Sequence, residues 1–148
     1  MAQEHFEDIV LSQLFIDESR DCTQQTQVNT LSELFAADRS ASVTVINKSK
    51  IKLWLSSYEL KKGAWETYPP VSIHPWSKGQ WKSKSDSILT GTEGGTTYES
   101  VHGNFGFYWY VPYYGANLYN SSCPEKYECS CSGGDGSNAE VTFTVRKI

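Results

Sequence analysis

The chain has 148 residues, a formal net charge of −4 and a pI near 5.3, and its size corresponds to one folded domain. Its acidic balance argues against nucleic acid as a partner, and no apolar run reaches the roughly 20 residues of a membrane-spanning helix. The first residues, MAQEHFEDIV, lack the basic region of a secretory signal peptide. We therefore expect a protein made without such a signal, either cytoplasmic or secreted by a non-classical route.

The charge is divided unevenly along the chain. Residues 1–40 carry eight acidic side chains and two arginines, whereas residues 41–148 carry nine acidic and eleven basic side chains. This change in composition predicts a boundary near residue 40. We expect an acidic N-terminal extension (1–40) followed by a second domain (41–148).

The N-terminal extension has the pattern of helices. Near its start, apolar residues recur at helical spacing on one face: Phe6, Ile9, Val10 and Leu14. Residues 17–29 are polar and rich in Gln and Thr, which is typical of a linker. The sequence TLSE at 30–33 is a capping-box pattern and predicts a second, short helix that ends near Asp38.

The second domain has the pattern of β-strands. Apolar and polar residues alternate at 42–45 and 51–56, and further extended segments are predicted at 80–84, 96–101, 105–111 and 140–146. Lys61-Lys62-Gly63 predicts a hairpin turn, SGGDGSN at 132–138 predicts a loop, and Pro69, Pro70 and Pro75 interrupt pairing. Short strands separated by many turns are typical of a mainly β fold, here an antiparallel β-sandwich with an α-helical N-terminal extension.

One segment, FGFYWYVPYYGANLY at 105–119, has eight aromatic residues among fifteen. As a strand it would place one set of side chains on a core face: Phe105, Phe107, Trp109 and Val111. Pro112 should end the pairing, and the tyrosines beyond it should lie in a partly exposed loop. Trp76 and Trp81 flank another loop pattern, so they are predicted to lie at a membrane interface, where amphipathic rings are favoured.

Three of the four cysteines, Cys123, Cys129 and Cys131, lie close together in CPEKYECSC. One Cys-x-Cys with no nearby His does not supply the two ligand pairs of a structural zinc site, so no metal ion or other cofactor is predicted. A disulfide from Cys123 to either of the other two would need an oxidising compartment. We expect reduced, partly buried thiols.

The stretch YVPYYGANLYN at 110–120 resembles the signature of the actinoporins, which are small pore-forming proteins. The wider layout, with Gly95-Thr96-Thr97, Phe107-Tyr108-Trp109 and a closing strand at 139–147, resembles the aegerolysins of the same structural superfamily. The resemblance covers about residues 41–148. It implies a β-sandwich that recognises lipid head groups at a membrane, and sphingolipids are among the lipids that these families bind.

The resemblance also implies where the lipid would bind. In actinoporins the proline and tyrosines of this stretch help to form a phosphocholine pocket, and Pro112 and Tyr113 match that motif directly. Tyr119 matches with one extra residue between, and Tyr110 stands where a serine is expected. The implied head-group site is Tyr110, Pro112, Tyr113, Tyr114 and Tyr119. Actinoporins insert an N-terminal helix, and the corresponding residues here are Phe6, Ile9, Val10, Leu14 and Phe15.

We do not expect an enzyme, because His5, His74 and His102 have no nucleophile motif beside them and no GxSxG, P-loop or HExxH pattern is present. The leading prediction is a lipid-binding, pore-forming or cytolytic toxin-like protein that acts at a membrane, alone, as a self-oligomer or with a protein partner. One alternative is a lectin of related sandwich fold, since aromatic loops also stack on sugars. The other is a protein-interaction or effector module that uses the N-terminal helices.

Overall fold

A computed structural model describes residues 39–148, and within that range the chain forms ten β-strands and no helix. The strands in chain order are Ser40–Lys48 (β1), Leu53–Lys62 (β2), Ala64–Thr67 (β3), Ser72–Ile73 (β4), Ser77–Lys84 (β5), Thr92–Ser100 (β6), Gly103–Val111 (β7), Leu118–Ser122 (β8), Tyr127–Gly133 (β9) and Asn138–Lys147 (β10). The helices predicted for the N-terminal extension lie outside the described residues, and the boundary proposed near residue 40, where β1 begins, stays a prediction.

The strands form two five-stranded sheets that pack face to face. The first sheet has the order β3-β5-β1-β10-β9, and the second has the order β4-β2-β6-β7-β8. The expected sandwich is therefore present, but one pair departs from the antiparallel prediction, because β1 and β10 run parallel at the centre of the first sheet. These strands are the first and last of the described residues, and the rest of the domain supplies the long connection that a parallel pair requires.

The core lies between the sheets and depends on period-two alternation. In β7 the side chains of Phe105, Phe107 and Trp109 are buried, while Tyr108 and Tyr110 point to the other face. Phe107 packs against Phe143 of the first sheet, with ring centroids 5.2 Å apart. This confirms the core face predicted for the aromatic segment, and Pro112 follows the end of the strand as expected.

The turn predicted at Gly63 is present, but it does not form a hairpin. Gly63 has a φ of 99°, and a Cβ atom built there would lie 2.5 Å from the carbonyl oxygen of Lys84. The preceding strand β2 belongs to the second sheet, whereas β3 pairs with β5 in the first. Glycine is therefore required where the chain crosses between sheets, since an L side chain would be strained and would also clash.

The cysteine prediction is wrong for one pair. Cys123 and Cys129 form a disulfide across a sequence separation of six residues, with Cα atoms 6.1 Å apart. Cys131 is a free, exposed thiol, although its sulfur is desolvated enough to raise its pKa. The pairing connects the segment after β8 to β9, because the β7–β8 and β9–β10 pairings bring these two strands to the same edge of the sandwich. The cysteine spacing allowed either Cys129 or Cys131 as the partner of Cys123, and the strand pairing selects Cys129.

Candidate functional site

Two of the five predicted head-group residues are buried. Pro112 and Tyr113 lie beneath the surface, and Tyr113 exposes only 6 % of its area. The Arg39 guanidinium lies 4.2 Å from the centre of the Tyr113 ring, and its Nη2 donates to the Tyr113 carbonyl at 3.0 Å. The ring therefore packs into the end of the sandwich where β1 begins, and the expectation of an exposed Tyr113 is wrong.

The remaining tyrosines of that set do not share one face. Tyr110 lies on the outer face of the second sheet, where its hydroxyl accepts from Lys62 Nζ at 3.2 Å. Tyr119 pairs with Trp109 on the inner face, and its hydroxyl donates to the Gly134 carbonyl at 2.9 Å. Burial raises the pKa of Tyr119 to about 12. Tyr114 is half-buried in the loop between β7 and β8. The structure thus offers no common cavity for these side chains, and their lipid role stays a prediction.

The two tryptophans predicted at a membrane interface differ completely in environment. Trp81 is 2 % exposed and stacks on Tyr98 at 6.1 Å, so its predicted interface role is wrong. The alternation of β5, in which Gly79, Trp81 and Ser83 all face inwards, accounts for this burial. Trp76 is 67 % exposed and has a φ of 58°, a conformation that bulky residues rarely adopt.

Trp76 belongs to a set of connections that meet at one end of the sandwich. These connections are 49–52, 74–76, 101–102 and 123–126. The buried Asn47 side chain donates through Nδ2 to the carbonyl oxygens of Ile51 at 2.8 Å and His74 at 3.2 Å, which joins the first two connections. His102 Nδ1 lies 2.8 Å from the Tyr127 hydroxyl, which joins the third connection to β9. We call these connections and the strand residues beside them the basic end.

The basic end concentrates positive charge. It carries seven cationic and three acidic side chains, namely Lys48, Lys50, Lys52, Lys78, Lys126, Arg146 and Lys147 against Glu99, Glu125 and Glu128. The other described residues carry five cationic and six acidic side chains. The described domain is therefore polarised, with one strongly positive end and a nearly neutral remainder.

Large apolar side chains are exposed among these charges. They are Trp54, Val71, Trp76 and Val101. Trp54 is 49 % exposed, and the Lys52 ammonium lies 3.9 Å from the centre of its ring. Val71 is held next to this tryptophan, because its carbonyl accepts from the Leu55 N–H at 2.8 Å. A surface that presents indole rings and lysines together suits the boundary between water and lipid.

A second surface lies on the outer face of the second sheet, where an open groove of about 390 Å³ crosses β2, β6, β7 and β8. We call it the outer groove. The pairing registers show which lining residues share this outer face: Ser57, Glu59, Gly95, Thr97, Gly106, Tyr108, Asn120 and Ser122. The Tyr108 hydroxyl donates to the Glu93 carboxylate, and burial followed by this hydrogen bond raises the pKa of Tyr108 to about 12.

Sequence reasoning missed both Trp54 and the outer groove. Trp54 stands between Leu53 and Leu55 in an alternating strand, so its outward orientation could have been read from the pattern. The groove had no such signal, because it combines four strands whose register depends on pairing between distant segments. In the described residues there is also no group of His, Cys, Asp or Glu arranged to hold a metal ion, and no helix long and apolar enough to cross a membrane.

No protein-family model matches the chain, and no curated protein matches its sequence. Solved structures do match its fold. The crystal structure of the lipid binding protein Nakanori is 12 % identical, with a TM-score of 0.66 over 95 % of this chain and 85 % of that chain. The Xerocomus chrysenteron lectin XCL is 10 % identical, with a TM-score of 0.51 over 74 % of this chain and 99 % of that chain. The chain therefore has a β-sandwich fold that a lipid-binding protein and a lectin also adopt.

Proposed function

We propose that this protein binds lipid membranes through its basic end. The observation that carries the proposal is the exposure of Trp54 and Trp76 within a cluster of lysines on one end of the sandwich. Each Lys or Arg near an anionic lipid surface contributes about 1 kcal/mol of attraction. The indole rings would enter the interfacial region, where their apolar bodies leave water and their N–H groups remain hydrated.

The backbone at Trp76 supports this role. A bulky residue with a left-handed φ costs about 1–2 kcal/mol relative to an ordinary conformation. Two thirds of the Trp76 surface, 67 %, faces solvent, so burial of the ring offsets only a small part of that cost. A strained conformation that is retained at an exposed position is typical of a binding surface. The contacts of Asn47 and the Cys123–Cys129 disulfide hold the neighbouring connections, so the tryptophans are presented by a rigid scaffold.

Co-sedimentation with vesicles tests the proposal. The double variant Trp54→Ser with Trp76→Ser should bind vesicles of phosphatidylcholine and phosphatidylserine at least about tenfold more weakly, because burial of a large apolar side chain contributes about 1.5–3 kcal/mol. Leu118→Ser is the matched control, since Leu118 is 54 % exposed and pairs with Tyr110 at the far end of β7. Undiminished binding by a folded double variant would contradict the proposal.

Raised salt should weaken binding of the unmodified protein, because it screens the lysines.

The same vesicles address the narrower predictions. Sphingomyelin, ceramide phosphoethanolamine and sterol, added in turn, test for sphingolipid recognition, and a trapped dye reports on pore formation. Under the proposal, leakage would depend on the N-terminal segment that contains Phe6, Ile9 and Val10, so deletion of residues 1–38 should retain binding and abolish leakage.

For localisation, the disulfide favours action in an oxidising compartment over action in the cytosol.

A further inference from the structure

We propose that the outer groove is a second binding site, separate from the basic end, and that it takes a neutral carbohydrate. The ligand would be a pyranose ring lying flat on the outer face of the second sheet. The volume of the outer groove, about 390 Å³, lies within the range of roughly 300–1,000 Å³ that is typical of ligand sites. The inference rests on the floor of the groove, on the hydrogen-bonding groups around it and on the charge of its lining.

Two glycines form the floor of the groove. Gly95 pairs with Tyr108, and Gly106 pairs with Thr97, so the two glycines are diagonal neighbours on the same face of adjacent strands. Their missing side chains expose the backbone at the centre of the sheet, while the Tyr108 ring stands beside it. Glycine weakens a strand interior and often marks a close approach of a ligand. A flat floor beside an aromatic ring is suited to the flat face of a sugar.

The rim of the groove supplies hydroxyl, amide and carboxylate groups. Ser57, Thr97 and Ser122 contribute hydroxyls, Asn120 contributes an amide, and Glu59 contributes a carboxylate. The hydrogen bond from the Tyr108 hydroxyl to Glu93 holds that ring in place. These groups can donate to and accept from the several hydroxyls of a sugar, which a purely apolar groove cannot do.

The charge of the lining separates this site from the basic end. No Lys, Arg or His is among the residues that line the outer groove, whereas Glu59 is. A phosphate, sulfate or sialic acid group would therefore meet no cation and one anion, so an anionic ligand is disfavoured. The neutral sugar could belong to a soluble glycan or to the head group of a glycolipid, because both present the same ring and hydroxyls.

Binding of the full chain to an array of neutral and acidic glycans, followed by calorimetry with the best neutral glycan, tests the inference. Gly95→Val should lower the affinity for that glycan at least tenfold, because the new side chain occupies the floor. A Cβ atom at Gly95 would meet only the Phe107 carbonyl oxygen, at 3.5 Å, so the variant should fold. Ser130→Val is the matched control, since it places valine on an exposed strand position of the other sheet.

A second variant removes a contact without adding bulk. Asn120→Ala should also weaken glycan binding. It tests the site independently if Gly95→Val fails to fold. Vesicles that contain lactosylceramide distinguish the two sources of the sugar: a glycolipid receptor predicts binding to these vesicles that Gly95→Val abolishes, even if soluble glycans bind weakly. Absence of binding to both neutral glycans and lactosylceramide vesicles, binding of acidic glycans alone, or full binding by both folded variants would overturn the inference.

The two proposals can fail separately. Gly95→Val should keep its affinity for phosphatidylserine vesicles that lack glycolipid, because the basic end is unchanged. The double variant at Trp54 and Trp76 should keep its affinity for the soluble glycan. Loss of only one activity in each variant assigns the activities to different surfaces.

Discussion

Two tryptophans of the same core differ in the partner of a single N–H group. The Trp109 Nε1 donates to Ser83 Oγ at 3.0 Å, whereas the buried Trp81 Nε1 has no partner among the described residues. A hydrogen bond contributes about 1 kcal/mol to stability, and a buried donor without a partner costs about 1–3 kcal/mol. At the residue scale, replacement of Trp109 should therefore destabilise the fold more than replacement of Trp81.

We therefore expect Trp109→Phe to lower the free energy of unfolding by at least about 1 kcal/mol more than Trp81→Phe does, because only the former removes a hydrogen bond. Both changes replace a buried tryptophan with phenylalanine, so they remove a similar volume. The two rings belong to the same cluster, since they lie 5.8 Å apart. Urea denaturation measures the difference. Equal losses would show that the Trp81 N–H has a partner in solution, such as an ordered water.

At the scale of elements, the disulfide is the covalent link between the segment after β8 and β9. The double variant Cys123→Ser with Cys129→Ser should lower the free energy of unfolding by about 2 kcal/mol, because the loop it opens is short. Cys131→Ser is the control, since that thiol is exposed and outside the pair. The control should change stability by less than about 0.5 kcal/mol. Equal effects of the two variants on denaturant midpoints would contradict this role of the disulfide.

At the scale of the whole molecule, burial of tyrosines between the sheets makes stability depend on alkaline pH. Burial raises the pKa of Tyr119 to about 12 and raises that of Tyr98 further, from an ordinary value of 10.0. Above about pH 10 the unfolded chain loses phenolic protons that the folded chain retains, so stability falls as pH rises. The stabilisation by these buried tyrosines is complete below the pKa of the unfolded chain, and it is lost as the pH rises through their pKa values in the folded protein.

Thermal unfolding followed between about pH 9 and pH 12, with tyrosinate absorbance recorded alongside, should therefore show a decreasing melting temperature. Tyr119→Phe should make the decrease shallower, because it deletes one of the titrating groups. A melting temperature that stays constant over this range, or a slope that is unchanged in the variant, would contradict the assignment.

The features that depend on local alternation could be predicted from the order of residues alone. Burial favours one face of each strand, so the core face of β7 and the strand at β10 could be predicted from period-two patterns. The turn at Gly63, where the chain passes from one sheet to the other, could be predicted for an equally local reason. Few residues other than glycine adopt its positive φ.

Packing of the two sheets decides which aromatic residues reach the surface and which surfaces they form. Trp76 and Trp81 look alike in sequence, yet one is exposed and the other is buried, because exposure depends on what the opposite sheet covers. The parallel pairing of β1 with β10 and the outer groove both join segments far apart in the chain. Such contacts arise from strand register and sheet packing, which carry no short-range signal in the order of residues.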